Sequence, residues 1–251
     1  MDFASPQDIT TALSRVASAP RLLVVSDFDG TLAGFAPDAY RVPVNRRSIT
    51  ALQQLGALPA TTSVILSGRH REGLENVAGD TRGITLVGSH GADGIVLTPE
   101  QQKRLDDFTL ELAAIVDGVP GAFVEHKPFH RVLHYRAVDQ ASQGPLVAAA
   151  RACAFEGIHH TPGKCIEEFS VLEVTKGTWI AQARKDFEAD AVVFLGDDVT
   201  DENGMRALEP SDLGVRVGDG ETQAHIRVPD LQAVEELLTE LHQMRATVLP
   251  A

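Results

Sequence analysis

The chain has 251 residues, 43% of them hydrophobic and 23% charged, which suffices for one large domain or two small ones with a buried core. Its formal net charge of −13 at pH 7 argues against a nucleic-acid or anionic-membrane surface, because such surfaces need clustered Lys and Arg. No run of about 18 apolar residues occurs, which argues against a membrane-spanning helix.

The first six residues have neither the basic start nor the apolar stretch of a signal peptide, so we expect a cytoplasmic protein. We also expect a monomer that acts on a small molecule, without nucleic-acid or membrane partners. The segment before Pro20 gives no clear prediction. The two cysteines, Cys153 and Cys165, lack Cys-x-x-Cys spacing and are too few for a disulfide framework.

Short β-branched runs alternate with segments of helical period, a pattern typical of a parallel α/β sheet. In chain order the predicted strands span residues 22–25, 63–66, 84–87, 191–195 and, more weakly, 213–217. The predicted helices between and after them span 46–58, 182–187 and 231–244. Polar or glycine-rich residues follow the strands, and ligands bind at that edge of a doubly wound sheet. We therefore predict a doubly wound, Rossmann-like sheet with a ligand site at its carboxyl edge.

The stretch between the third and fourth strands breaks this rhythm. It predicts a helix over 100–116, one or two strands over 122–138, a helix over 144–155 and a strand over 164–172. Within the first strand region, alternation places one set of side chains, Val132, His134 and Arg136, opposite another, Arg131, Leu133 and Tyr135. We predict a core domain over 1–98 and 173–251 and a smaller inserted α/β cap over 99–172.

Two acidic clusters fall at strand ends of the predicted core. Asp27 and Asp29 follow the first strand, and carboxylates at such a turn need a cation, for which hard oxygen ligands favour Mg²⁺. The cluster after the fourth strand supplies further ligands: Asp197, Asp198 and Asp201. An ordinary turn and a calcium loop are the alternatives. A calcium loop would need oxygen ligands at positions occupied by Leu32, Gly34 and Ala36.

The run Asp-Phe-Asp-Gly-Thr-Leu at 27–32 resembles the first motif of the haloacid dehalogenase superfamily of phosphotransferases. Ser67 after an apolar strand resembles the second motif, Lys176 the third, and Gly-Asp-Asp-x-x-Asp at 196–201 the fourth, all in the order of that family. This resemblance implies a parallel-sheet phosphatase core, a Mg²⁺ cofactor and a covalent aspartyl phosphate.

The resemblance also implies roles for single residues. Asp27 would attack phosphorus, and Asp29 would protonate the leaving alcohol and then deprotonate the hydrolytic water. Ser67 would donate a hydrogen bond to the phosphoryl group, and Lys176 would add positive charge. The implied Mg²⁺ ligands are the Asp27 carboxylate, the Asp29 carbonyl oxygen and Asp197, with Asp198 or Asp201 binding directly or through water.

The insert is rich in side chains that suit sugar hydroxyl groups, although composition alone favours a solvated, charged strand face. Its runs Glu-x-Lys at 125–127, His-Tyr-Arg at 134–136 and Gly-Lys-x-Ile-x-Glu at 163–168 resemble the cap of trehalose-6-phosphate phosphatases. The core runs at 67–69, 88–91 and 196–202 also resemble that family.

This second resemblance implies hydrolysis of trehalose 6-phosphate, the last step of trehalose biosynthesis. The implied substrate-binding residues are Glu125, Lys127, Arg136, Lys164 and Glu168, together with Arg69 near the phosphate or between core and cap. A one-residue shift in register would select Glu167 instead of Glu168, and His90 is either a further sugar contact or a structural residue.

Three alternatives stay open. The enzyme could act on another sugar phosphate, such as a sucrose or mannosylglycerate phosphate. The chain could instead be a non-catalytic regulator that binds sugar phosphates, although an intact nucleophile argues against this. A zinc site in the insert is disfavoured because its histidines lack paired-ligand spacing with a third partner: His126, His130, His134, His159 and His160.

Overall fold

The computed structural model describes residues 2–249. The fold divides into two compact units, Met1–Asp93 with Val174–Ala251, and Gly94–Glu173. Residues 1, 250 and 251 of the predicted core lie outside the described part. The sequence-based division at 98 and 173 stays a prediction in its bounds and in the role of the insert.

The secondary structure is as follows. In chain order the strands are β1 (Leu22–Ser26), β2 (Thr61–Leu66), β3 (Ile84–Val87), β4 (Phe123–His126), β5 (His130–His134), β6 (His159–Gly163), β7 (Ile166–Ser170), β8 (Ala191–Gly196), β9 (Leu213–Val217) and β10 (Ile226–Val228). The helices are α1 (Pro6–Ala17), α2 (Arg46–Gly56), α3 (Arg71–Ala78), α4 (Pro99–Val116), α5 (Gln140–Ala152), α6 (Lys176–Asp186), α7 (Glu202–Arg206) and α8 (Leu231–Val248). A short 3₁₀ helix spans Ser89–Gly91.

Across the described residues, the first unit contains a six-stranded parallel sheet in the order β10-β9-β8-β1-β2-β3. Every residue of β1 and β8 is buried, because helices cover both faces of the sheet. Side chains such as Val24 and Val193 pack towards α1, α2, α3 and α8, whereas Leu23 and Phe194 pack towards α6 and α7. The strand order reverses between β1 and β8, where doubly wound sheets bind ligands.

The second unit contains, in the described chain, a four-stranded antiparallel sheet in the order β4-β5-β7-β6. Helices α4 and α5 cover one face, where Phe108 and Leu146 pack against Leu133 and Phe169 of the sheet. Val132 lies one residue along β5 and therefore points to the opposite face. The predicted alternation is confirmed for the residues within β5, whereas Tyr135 and Arg136 lie beyond its end. The predicted fold class, a doubly wound parallel sheet with a smaller α/β insert, is confirmed.

The structure contains several helices and strands that the sequence did not predict. Helix α1 begins with a capping box between Ser5 and Asp8, a local signal that the sequence contains. Strand β6 contains Pro162, which removes a backbone donor and is tolerated because β6 lies at the sheet edge. Helix α3 and the three-residue strand β10 are too short for their periodicity to be distinctive.

Between residues 2 and 249, no helix combines the length and the apolar character that a membrane crossing requires.

A buried arginine of α8 connects the ends of several core elements. Arg245 is fully buried, and its guanidinium donates to the carbonyl oxygens of Ala17 at 3.0 Å, Ala19 at 2.8 Å and Ala60 at 2.8 Å. It also donates to Thr61 Oγ1 at 2.6 Å. Because the guanidinium carries five N–H donors in a rigid fork, one side chain satisfies carbonyl groups at the end of α1, just after α1 and just before β2.

We expect Arg245→Met to lower the free energy of unfolding by about 2–4 kcal/mol, because the buried carbonyl groups lose their donors. Urea denaturation followed by circular dichroism measures this change. Arg47→Met is the matched control: Arg47 is an exposed arginine paired with Glu235, and its loss should change stability by less than about 0.5 kcal/mol. Equal effects of the two substitutions would contradict the role of Arg245.

Candidate active site

The loop after β1 holds the first two acidic residues. The Asp27 N–H donates to the Leu195 carbonyl at 2.9 Å, which extends the pairing of β1 with β8 by one residue. The Phe28 carbonyl then accepts from the N–H groups of Leu32 and Ala33, so the chain turns sharply after the strand. The Asp27 side chain is therefore buried at the end of the central strand, with 5% of its surface exposed.

Glycine at position 30 lets the loops after β1 and β8 approach each other closely. Gly30 has a φ of +82°, a conformation that favours glycine, and its Cα lies against the Asp197 carboxylate. A Cβ at this position would overlap that carboxylate. The Asp-Gly-Thr run thus provides both the turn and the space for Asp197.

The loop after β8 is shaped by Asp201. This buried carboxylate accepts hydrogen bonds from the N–H groups of Asp197 at 3.0 Å and Asp198 at 2.9 Å through one oxygen. Its other oxygen accepts from the Lys176 ammonium at 2.6 Å. Asp201 therefore fixes the backbone of its own loop and connects it to α6.

Lys176 lies at the start of α6, where Thr175 caps the helix. Its buried ammonium contacts Asp27 Oδ1 at 2.7 Å and Asp201 Oδ1 at 2.6 Å. Burial by itself lowers the pKa of Lys176, but the charges and hydrogen bonds of Asp201 and Asp27 outweigh it and raise that pKa. Lys176 is therefore protonated, and it joins the ends of β1 and β8.

Three carboxylates surround this one ammonium, so negative charge is in excess. Burial, followed by the charge of Asp201, raises the pKa of Asp27 well above its usual value. Burial, Asp201 and Asp198 raise the pKa of Asp197 to about 7. Within the described chain, Asp197 Oδ1 is also buried without a hydrogen-bond partner. A cation would relieve both the excess charge and this unsatisfied oxygen.

Ligand atoms of Asp27, Asp197 and Asp201 lie within 4.8 Å of one another, and in the part of the chain that the structure describes this is the one such group able to hold a metal. Carboxylate oxygens are the donors that hard divalent cations prefer, so these residues fit a divalent cation. Asp198, another predicted ligand, is exposed and lies outside the group. The Asp29 carboxylate also lies outside it; the resemblance assigned its carbonyl oxygen rather than its side chain to the metal.

The Asp29 side chain is held by Arg69, a contact that the sequence did not predict. The guanidinium donates to both Asp29 oxygens, at 2.7 and 2.6 Å, in a bidentate pair. It also donates to the Ala39 carbonyl at 2.6 Å and lies 5.7 Å from the centroid of the Phe28 ring. Arg69 thus joins the proposed acid–base residue to the loop that follows it.

Ser67 is buried directly after β2. Its Oγ accepts a hydrogen bond from the Arg69 N–H at 3.1 Å, which leaves its own proton available for an acceptor such as a phosphoryl oxygen. The Ser67 carbonyl accepts from the His90 N–H at 2.9 Å, so His90 also supports this loop through its backbone.

Arg216 is a supporting residue that the sequence analysis missed. Its guanidinium donates to the Asp198 carbonyl at 3.0 Å and to Glu202 at 3.3 Å, and so it supports the loop after β8. The available signal was an arginine inside the otherwise apolar run 213–217, where a buried charge needs partners.

The remaining predicted residues lie in the second unit. Glu125 and Glu168 occupy the sheet face away from α4 and α5, since both are in register with Val132. Glu167 is in register with Leu133 on the helix-covered face, where it is buried and pairs with Arg151 at 2.9 Å. The two glutamates therefore have different surroundings, which the sequence left open.

The three predicted cations of the second unit lie at turns and strand ends. Lys127 is in the turn between β4 and β5, and its N–H donates to the His130 carbonyl at 3.0 Å. Arg136 and Lys164 are both exposed, and the Arg136 guanidinium donates to the Lys164 carbonyl at 3.4 Å. The Lys164 ammonium takes no part in this contact, because the acceptor is the backbone carbonyl of Lys164.

A profile of the trehalose-phosphatase family matches residues 25–236. The chain belongs to this family. It is 31% identical over 234 residues to the trehalose-6-phosphate phosphatase of Escherichia coli K12, covering 87% of either chain. It is 30% identical to the trehalose-phosphate phosphatase of Mycobacterium ulcerans, covering 91% of this chain and 63% of that one. The C-terminal domain of the C. albicans trehalose-6-phosphate phosphatase has the same fold, with a TM-score of 0.74, 21% identity, and coverage of 97% and 99%.

Membership of the trehalose-phosphatase family confirms the family predicted from the motifs and the predicted class of enzyme, a phosphatase. It also implies a sugar phosphate as the class of substrate. The acidic group at the ends of β1 and β8 is consistent with the divalent metal of such a phosphatase.

The raised pKa of Asp197 predicts a pH-dependent stability of the cation-free protein. Between about pH 4 and pH 7 the folded protein keeps a proton on Asp197 that the unfolded chain releases, so stability falls as the pH rises through this range. Asp197→Asn removes this effect. In EDTA we expect its melting temperature to exceed that of the wild type by several degrees at pH 8 and by much less at pH 5.

Asp198→Asn provides the matched control because Asp198 is exposed, and its effect should be much smaller. Added Mg²⁺ should raise the melting temperature of the wild type but not that of Asp197→Asn. Equal melting temperatures of wild type and Asp197→Asn at pH 8 in EDTA would refute the charge excess.

Proposed function

We propose that the protein hydrolyses trehalose 6-phosphate to trehalose and phosphate through an aspartyl phosphate on Asp27. The main support for this mechanism is the position of the Lys176 ammonium, which contacts both Asp27 and Asp201 where the strand order of the sheet reverses. The choice of trehalose 6-phosphate as the substrate rests on family membership and on the insert residues that match the family motifs.

In the first step an Asp27 oxygen forms a bond to phosphorus while the bond from phosphorus to the sugar oxygen breaks. The sugar oxygen takes the electron pair and receives a proton from Asp29. In the second step a water molecule attacks phosphorus, Asp29 takes a proton from that water, and the Asp27 carboxylate leaves. Ser67 donates to a phosphoryl oxygen, and Lys176 balances the charge of Asp27 throughout.

Both Asp29 oxygens accept hydrogen bonds from the Arg69 guanidinium, so Arg69 competes with the sugar oxygen and the hydrolytic water for the Asp29 carboxylate. A phosphoryl dianion is a competing partner for a planar, bidentate donor. We therefore propose that Arg69 turns from Asp29 towards the substrate phosphate, in keeping with the substrate-binding role that the family resemblance implied.

We propose Mg²⁺ as the cation, held by the carboxylates of Asp27 and Asp197 and by the Asp29 carbonyl oxygen. When bound, it would reduce the repulsion between an anionic nucleophile and an anionic ester. Asp201 already accepts from Lys176 and from two N–H groups, so we assign it the support of this site rather than direct ligation. The exposed Asp198 would act only through water.

The substrate assignment is tested by a panel of phosphate esters assayed for phosphate release with Mg²⁺: trehalose 6-phosphate, sucrose 6-phosphate, glucose 6-phosphate and p-nitrophenyl phosphate. We expect the highest kcat/KM for the trehalose ester. A higher kcat/KM for the sucrose ester would select the alternative sugar-phosphate phosphatase. Absence of release from every ester would favour the non-catalytic regulator.

The nucleophile assignment predicts that Asp27→Asn lowers kcat by at least about 10³-fold on every ester, because the amide keeps the shape but cannot attack phosphorus. The variant should remain folded, since Lys176 keeps its contact with Asp201. Asp186→Asn, on the exposed side of α6, is the control and should keep full activity. Substantial turnover by folded Asp27→Asn would refute this role.

A further inference from the structure

The histidines of the second unit have no role in the phosphoryl chemistry proposed above, yet three of them contact glutamates. The pairs are His134 with Glu125 at 3.0 Å, His130 with Glu168 at 3.3 Å, and His160 with Glu167. The first two pairs lie on the sheet face away from the helices, and the third lies on the helix-covered face. The pairing therefore occurs on both faces, but only one face carries the residues assigned to the sugar.

The two outer glutamates flank one central strand. Glu125 on β4 and Glu168 on β7 are both in register with Val132 of β5. Neighbouring strands are about 4.8 Å apart, so the two backbones are about 10 Å apart. Both carboxylates therefore belong to one row across the sheet, a spacing that suits a ligand with several hydroxyl groups along its length.

Both histidines that bind these carboxylates come from the same strand, at the two ends of β5. The His134 ring stacks on the exposed ring of Phe123, with centroids 4.4 Å apart and planes 4° apart. His130 is buried, and its carbonyl accepts from the Lys127 N–H. Strand β5 thus orders Glu125, Glu168 and the backbone of Lys127 together.

The imidazole contact of Glu125 leaves its carboxylate able to bind a hydroxyl group. An ionised carboxylate only accepts hydrogen bonds, so Nε2 of each histidine is the donor in these pairs. One oxygen of Glu125 accepts from His134, and the other keeps its lone pairs for a sugar hydroxyl donor. The hydrogen bond from His134 is the main cause that lowers the pKa of Glu125, which keeps this acceptor ionised.

Ordering a glutamate side chain before the ligand arrives reduces the entropy lost on binding. We propose that His130 and His134 are positioning residues that orient Glu168 and Glu125 for the hydroxyl groups of the sugar ester. This inference rests on the proposed function and deepens it, since it names the residues that prepare the sugar-binding face.

The test compares His134→Leu, which removes the donor, with His134→Gln, whose amide places a donor near the position of Nε2. For His134→Leu we expect the KM for trehalose 6-phosphate to rise about tenfold, as for the loss of one charge-assisted hydrogen bond. The kcat/KM for p-nitrophenyl phosphate should stay within about twofold of the wild type, because an aryl ester presents no sugar hydroxyl groups. His134→Gln should restore most of the affinity, and His130→Gln, at the buried site, should change the KM by less than about threefold.

His160→Leu is the matched control, because it breaks a histidine–glutamate pair of the same chemistry on the opposite face. It should leave the KM for the trehalose ester unchanged, and His126→Leu on β4 serves if His160→Leu fails to fold. Inhibition of p-nitrophenyl phosphate hydrolysis by free trehalose gives a second readout, and its inhibition constant should rise in His134→Leu only.

The results of these experiments distinguish a failure of the positioning role from a failure of the proposed function. A wild-type enzyme without preference for the trehalose ester over the aryl ester contradicts both. A wild-type preference that His134→Leu retains in full, or an equal loss on both esters, contradicts the positioning role alone. A rise in KM of His160→Leu equal to that of His134→Leu would also overturn it.

Discussion

The contact of one buried ammonium with two buried carboxylates is the interaction on which the rest of the site depends. Lys176 joins Asp27, at the end of β1, to Asp201, in the loop after β8. These strands are neighbours where the strand order reverses, which is the position at which doubly wound sheets bind ligands. Gly30 permits the close approach of the two loops, because any larger residue would overlap the Asp197 carboxylate. A few buried side chains thus hold together the two loops that form the acidic group.

The same contact leaves the site with more negative than positive charge. Lys176 cannot balance Asp27, Asp197 and Asp201 together, and the raised pKa values of Asp27 and Asp197 express this excess. A site that binds a cation must keep such an excess when the cation is absent, at a cost to stability. The Asp29 carboxylate is by contrast paired with the Arg69 guanidinium, so its charge is balanced locally. Local charge balance therefore distinguishes the acidic group at the ends of β1 and β8 from the neighbouring Asp29 side chain.

The carboxylates of the second unit have different partners from those of the acidic group in the first unit. Glu125 and Glu168 contact imidazole groups rather than competing for a cation, and Glu125 keeps an oxygen for a neutral hydroxyl donor. Glu167, one residue away, is buried against Arg151 on the other face of the sheet and contributes to packing instead. Because successive side chains on a strand point to opposite faces, two adjacent glutamates have different surroundings.

Much of this could be predicted from the sequence. The parallel core, its strand ends, Asp27 and the acidic cluster after β8 follow from local signals, since a buried strand is a short apolar run and its polar end is adjacent in the chain. Lys176 was identified only through the order of the family motifs. The pairing of Arg69 with Asp29, the choice of Glu168 over Glu167 for the open sheet face, and the contacts of His130 and His134 depended on tertiary structure. Each joins residues from different strands or loops, and register and side-chain direction across strands arise only when the sheet assembles.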